Sequence, residues 1–371
     1  MACVNNEVID HTTAAAHPSS DGVAVRAEHG VGHLTLDRPR AINALDIGMV
    51  RRLAGALDAW EHDPDVRIVV LDGAGERGLC AGGDVRELRE QVLRGDAAAT
   101  SQFFRAEYAL NARIAEYPLP FVALADGVTM GGGIGLAGHA GVRIVTERSR
   151  LAMPETRIGF TPDVGGSWLL AHAPGRLGEY LALTGAAMDA ADAIYAGFAD
   201  HFVPSDRLDA LRAAFQDPDQ TGPREHVRRA VDGLGSDTPA PSRLEGARAW
   251  IDAAFAAPSV SEISKRLRAR SEPDAAATAQ LLSELSPTAL TVTLAAVRRA
   301  RELPGLRAAL AQEYGLVMWF AETQPDLAEG IRAQVVDKDR TPRWRPADLA
   351  SLAPGIVDEA FAHVPAVPLW E

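Results

Sequence analysis

FVALADGVTMGGGIGLAG, residues 121–138, passes from a short apolar run through Asp126-Gly127 and three consecutive glycines into a segment spaced like a helix. The opening run is short, apolar and bounded by turn residues, the signature of a buried strand. RIVVLDG, residues 67–73, has the same form: it ends at Asp-Gly and leads into the glycine-rich loop GERGLCAGGDVREL (75–88) and a further helix. A third strand is read at VRIVT, 142–146. This approximate repeat of strand, glycine loop and helix predicts an α/β fold in which loops after strands build the site. Upstream, VAVRAEHGVGHLTLDRP alternates as two short strands turning at His29 and Gly30. Asn43 is placed to cap a helix whose Leu45, Met49, Leu53, Leu57 and Trp60 recur at helical spacing.

The 371 residues, 47% of them hydrophobic, are enough to bury a large core. A net charge of -13 argues against a nucleic-acid backbone or an anionic membrane surface as a general partner. Cys3 and Cys80 are the only cysteines and neither belongs to a metal-spaced cluster, which fits a reducing compartment, by default the cytoplasm. No segment approaches the roughly 20 apolar residues of a membrane helix. Residues 1–22 read as a disordered leader, 23–203 as an α/β core, and 204–371 as a mainly helical region packed on it. In that last region QDPDQTGPREH and GSDTPAPS are expected as surface loops. SPTALTVTLAAVRRARELPG and LRAALAQEYGLVMWFAE are expected as two packed helices.

The glycine loops carry the first chemistry. Gly82 and Gly83 sit where a helix begins, so unpaired N–H groups there can meet an anion or a developing oxyanion; the glycines can equally serve close helix packing. Neither loop matches the P-loop pattern, and neither has a convincing GxGxxG nucleotide signature. MPETRIGFTPDVGG, 153–166, adds Glu155 and Asp163, which by spacing alone either hold a turn, with Asp163 paired to Arg157 or another basic residue, or face a substrate. Cys80 reads as a packing residue, Arg143, Arg148 and Arg150 as surface or ion-pair residues, and Asp337-Lys338-Asp339 as helix-end salt links rather than a metal site.

GLCAGGDVREL (78–88), FFRAEYALN (103–111), VALADGVTMGGGIGL (122–136), TERSRLAMPETRIGFTPDVGGSWLL (146–170), GEYLALTG (178–185), ELSPTALTVTLAAV (284–297) and EGIRAQVVDKDRTPRWRPADL (329–349) form an ordered set. Together they resemble the crotonase, or enoyl-CoA hydratase/isomerase, superfamily, and within it the 3-hydroxyisobutyryl-CoA hydrolase branch. The resemblance implies a crotonase-like spiral of β-β-α units with a helical C-terminal region. It implies a short-chain acyl-CoA as substrate, no metal, no cofactor beyond the coenzyme A that the substrate carries, and a homo-oligomer. The backbone N–H groups of Gly83 and Gly132 match the family's oxyanion donors, so substitution at either is expected to damage catalysis. A hydratase carries a glutamate where Gly135 stands, and that carboxylate is absent. Glu155 and Asp163 match the hydrolase pair, Glu155 as base or nucleophile and Asp163 as its acid partner. Glu107 and Gly132 match positions that contact substrate. The implied reaction is hydrolysis of a short 3-hydroxyacyl-CoA, 3-hydroxyisobutyryl-CoA first, as in valine breakdown. The alternatives are a divergent enoyl-CoA hydratase/isomerase and a non-enzymatic acyl-CoA-binding subunit.

Overall fold

The computed structural model describes residues 22–216, 222–238 and 240–370; the expected leader, save its last residue, lies outside them. Eight strands follow in order: β1 (Val23–Glu28), β2 (Val31–Leu36), β3 (Ile68–Gly73), β4 (Phe121–Ala125), β5 (Val128–Met130), β6 (Val142–Val145), β7 (Arg150–Ala152) and β8 (His201–Phe202). β1 and β2 form an antiparallel hairpin that turns on His29 and Gly30, whose φ values of 50° and 83° suit the right-handed twist of the strands. The larger sheet runs β1-β2-β3-β4-β6-β8 and is parallel from β2 onward. β5 and β7 pair in parallel as a second, small sheet.

With α1 (Ile47–Trp60), α2 (Val85–Arg94), α3 (Ala97–Ala115), α4 (Gly132–Ala137) and α5 (Gly166–His172), the chain repeats strand, strand, helix. The second and third repeats are β4-β5-α4 and β6-β7-α5. In the first, beginning at β3 and ending at α2, the second strand is reduced to single bridges, Gly78 to Gly127 and Cys80 to Thr129. A methyl group at Gly78 would lie 2.2 Å from Val128 N, so only glycine permits the approach.

The strands read as continuous apolar runs because both faces of the sheet are covered. Val69, Leu71, Ala123 and Val145 face the main core, while Ile68, Val70, Val122 and Ile144 pack under Leu208, Leu211, Phe215, Val227 and Val231 of the Leu208–Gln216 and Pro223–Leu234 helices. Two local expectations change. Asn43 does not cap α1; Asp46 does, accepting from Met49 N at 2.9 Å. Asn43 instead takes a left-handed conformation that asparagine tolerates, and its Nδ2 donates to Ala74 O, Gly78 O and Leu79 O, each at 3.1 Å, fastening the first glycine loop. PREH, expected in a loop, opens the Pro223–Leu234 helix, because proline at the first helical position loses no hydrogen bond. The preceding residues 217–221 lie outside the described residues.

Toward the C-terminus, Pro287–Ala300 and Leu306–Thr323 form the expected helix pair, and Arg176 and Arg301 converge on the fully buried Glu179. The Pro325–Ile331 helix seats directly on the turn Glu155–Ile158. A methyl group at Gly330 would come within 2.3 Å of the Ile158 backbone, and one at Gly159 within 2.5 Å of Asp326 O. Asp337 and Asp339 both pair with Arg332, at 2.7 and 2.6 Å, the expected salt links.

Candidate active site

A cavity of about 280 Å3 lies where the two glycine loops, α3 and the 153–166 segment meet. Gly83, Glu107, Gly132, Glu155 and Asp163 all line it, so the fold gathers every site residue expected from the sequence. The loops are laced together by Cys80 N to Val128 O (3.1 Å) and Met130 N to Cys80 O (2.9 Å). Leu45 N to Gly82 O and Asp84 N to Leu45 O, both 2.8 Å, hold the first loop from its other side. Gly82 (φ 107°) and Gly131 (φ 48°, ψ -119°) adopt backbone conformations that side chains disfavour. These turns leave the N–H groups of Gly83 and Gly132 without an acceptor among the described residues. The two are close: a methyl group at Gly132 would lie 3.3 Å from Gly83 N and 2.6 Å from Glu107 Oε1.

A methyl group at Gly132 therefore displaces the Glu107 carboxyl and crowds Leu45 Cδ1 at 3.2 Å. At Gly83 there is no such conflict, because a methyl group there meets only Phe103 at 3.4 Å and the backbone is not left-handed. At Gly83 the expectation of damage therefore rests on backbone position and on the space it leaves in the cavity, since the protein itself leaves room for its Cβ.

Glu155 opens a single turn of 3-10 helix after Pro154, closed by Phe160 N to Glu155 O at 3.0 Å. Its Oε2 is buried without a hydrogen-bond partner, as is Oε1 of Glu107. Asp163 Oδ2 accepts from Tyr108 OH at 2.8 Å, so its partner is not Arg157. α3 supplies Phe104, Glu107 and Tyr108 from one face, and Phe160 stacks on Phe104 (ring centroids 6.2 Å apart) with Phe320 behind it. Gln334 and Val335, from the π-helical turn Arg332–Val336, close the wall, held by Arg86 donating to Val335 O.

Burial dominates the electrostatics. It raises Glu155 and Glu107 well above the usual carboxylate range, and the charge of Asp163 adds to both shifts. Burial also lifts Asp163, to about 7, against the hydrogen bond from Tyr108 that lowers it. The Cys80 thiol is pushed up to about 12, which keeps it protonated and fits its packing role. A carboxyl whose folded pKa is raised binds its proton more tightly folded than unfolded, so stability is fully present below the unfolded value and is lost as pH rises. Glu155→Gln removes one such ionisation. The stabilisation it confers should grow between pH 5.5 and 8 by at least about 1 kcal/mol in urea unfolding, the equivalent of roughly one pKa unit. A gain that is the same at both pH values would show that Glu155 ionises freely.

Sequence reasoning missed Tyr108 and the wall from Gln334 and Val335. Tyr108 was within reach, since it follows Glu107 and sits four positions after Phe104 on one helical face. The wall was not, because it comes from the far end of the chain. Among the described residues no group of three or more potential ligands could hold a metal ion.

The comparisons with known proteins agree with this geometry. A family model described as enoyl-CoA hydratase/isomerase matches residues 31–361. The mitochondrial 3-hydroxyisobutyryl-CoA hydrolase of Rattus norvegicus is 38% identical over 348 residues, 92% of this chain and 89% of the relative. The 3-hydroxyisobutyryl-CoA hydrolase 1 of Arabidopsis thaliana is 38% identical, covering 93% of each chain. A carnitinyl-CoA dehydratase structure from Mycobacterium thermoresistibile matches with TM-score 0.88 and 46% identity over 95% of this chain and 98% of its own. An enoyl-CoA hydratase structure from Rhodobacter sphaeroides 2.4.1 matches with TM-score 0.84 and 43% identity, over 92% and 98%. With a family match across most of its length, and with the crotonase-type repeat laid out strand by strand, the chain belongs to the enoyl-CoA hydratase/isomerase family.

Proposed function

We propose that this chain hydrolyses a short 3-hydroxyacyl-CoA thioester, 3-hydroxyisobutyryl-CoA before others. The observation that carries the reading is the placement of acids. Glu155 and Asp163 share the cavity, while α4 offers no carboxylate: where a side chain at Gly135 would begin, Val164 Cβ lies 2.7 Å away and Asn111 Nδ2 2.8 Å. Water addition to a double bond by paired glutamates lacks its first partner here. This distinction weighs more than the dehydratase and hydratase names of the similar structures, because fold and overall identity do not specify the reaction.

The chemistry follows from the arrangement. The thioester carbonyl oxygen lies between the N–H groups of Gly83 and Gly132, which donate more strongly as negative charge develops. Glu155 delivers the nucleophile, either its own carboxylate or a water it deprotonates. Asp163, oriented by Tyr108, handles the proton that the departing thiolate takes up. By either route a C–O bond forms, the C–S bond breaks, and water is divided between carboxylic acid and thiol. Glu107, against Gly132, contacts the acyl group, and the Phe104 and Phe160 wall suits a short chain. The reading carries with it a cytoplasmic homo-oligomer with a 23–203 core and a 204–371 helical region. None of the described helices is long and apolar enough to cross a membrane.

Purified protein should release free CoA from 3-hydroxyisobutyryl-CoA faster than it hydrates crotonyl-CoA. No thiol release from 3-hydroxyisobutyryl- or 3-hydroxypropionyl-CoA would overturn the assignment, and faster hydration would favour the hydratase reading. Gly135→Glu should lower the unfolding midpoint without creating hydratase activity, since its Cβ alone requires Val164 and Asn111 to move. Crotonyl-CoA hydration by a stably folded Gly135→Glu protein would show that the space can be opened.

A further inference from the structure

The turn that presents Asp163 is strained, and two buried side chains that do not line the cavity hold it. Val164 is β-branched yet has φ 53°, a left-handed backbone that such residues avoid. Gly165 follows at φ 78°. Nothing in the local sequence favours this conformation at valine, so its surroundings must impose it.

Glu313, from the Leu306–Thr323 helix, reaches the turn from one side. It is fully buried, and its carboxyl accepts from Gly165 N at 2.6 Å, from Ser167 N at 2.8 Å and from the Ser167 hydroxyl. No lysine or arginine pairs with it among the described residues; the turn's own donors satisfy it. His139, just beyond α4, reaches the turn from the other side, with Nε2 2.8 Å from Val164 O. The acceptor is a carbonyl, so Nε2 carries the hydrogen, and burial, which pushes this imidazole down to about 4, keeps it neutral. The two sides meet closely: a methyl group at Gly165 would lie 2.3 Å from His139 Nε2.

We infer that Glu313, assisted by His139, is a positioning residue that clamps the Val164–Gly166 turn and thereby fixes the Asp163 carboxyl in the cavity. It acts through Asp163 and does not touch the substrate. The inference rests on the proposed catalytic role of Asp163. It adds a specific dependence of that role on a helix 148 positions further along the chain.

Glu313→Gln tests it. Whichever way the amide turns, its NH2 group faces one of the two backbone N–H donors, so one bond is lost with little change of shape. The expected result is a kcat reduced roughly 10- to 100-fold with KM within about threefold, as when a reacting group is slightly misplaced. Amide hydrogen exchange of residues 164–167 should accelerate. In a D163N background, assayed at high enzyme concentration for its residual turnover, the same substitution should change kcat by less than about twofold, because the group it positions is already disabled. Equal losses in both backgrounds would mark Glu313 as a general structural residue and overturn the inference while leaving the Asp163 assignment intact. Wild-type kcat in E313Q would also overturn it. Wild-type kcat in D163N would overturn the Asp163 role and the inference together. Should E313Q not fold, Ser167→Ala, which removes only the hydroxyl donor, carries the same comparison with a loss of a few-fold, and equal loss in both backgrounds again refutes the clamp.

Discussion

Glu155→Gln lowers kcat for release of CoA from 3-hydroxyisobutyryl-CoA by at least roughly 100-fold, with folding and ester binding retained, the lower end of what positioned acid–base help supplies. The substitution changes almost no volume. What it removes is the ability to become a carboxylate, and with it either the base or the nucleophile. Glu155 Oε2 has no hydrogen-bond partner within the protein, so no structural bond is sacrificed at that oxygen. Asp163→Asn should also impair turnover, because the amide cannot carry the proton. The double variant should lose far less than the product of the single losses if both acids serve one protonation network. CoA release measured for wild type, both single variants and the double variant, with ester binding and unfolding followed in parallel, separates the cases. Near-wild-type kcat in both single variants would sink the carboxylate mechanism even if thioesterase activity remained.

Gly132→Ala should cost roughly 100- to 1,000-fold in kcat, the range for loss of one oxyanion donor. The added methyl would sit 2.6 Å from Glu107 Oε1 and 3.2 Å from Leu45 Cδ1, so either the Glu107 carboxyl is displaced from its place beside the donors or the α4 N-terminus moves and carries the donor N–H with it. Gly83→Ala is the control on the partner loop. Its methyl reaches only Phe103 at an ordinary contact distance, so kcat should stay within about threefold of wild type for a backbone donor left in place. Comparable losses in both variants would mean that the two loops are equally intolerant and that the crowding around Glu107 is not the reason. Wild-type kcat in Gly132→Ala would remove its N–H group from the reaction.

The strand–loop–helix repeat was legible in RIVVLDG and FVALADG because apolar runs and Asp-Gly punctuation are local properties. The hairpin at His29 and Gly30 was legible for the same reason. The missing carboxylate at Gly135 was legible only through the family resemblance, which says where a hydratase carries its glutamate. Whether Glu155 and Asp163 hold a turn or face a cavity was not decided by their spacing. The fold decided it, by bringing Tyr108 to Asp163 across 55 positions. Asn43 and Asp46 both look like helix caps in sequence, and only the path of the first glycine loop assigns the cap to Asp46. Gly83 and Gly132 look alike in their loops, yet one has room for Cβ and the other has Glu107 against it. Residue types and their local periods therefore determined the α/β class and the chemical inventory, and the family resemblance supplied the spiral. Room, protonation and orientation depend on what packs against each group from distant parts of the chain, and only the tertiary structure decided those.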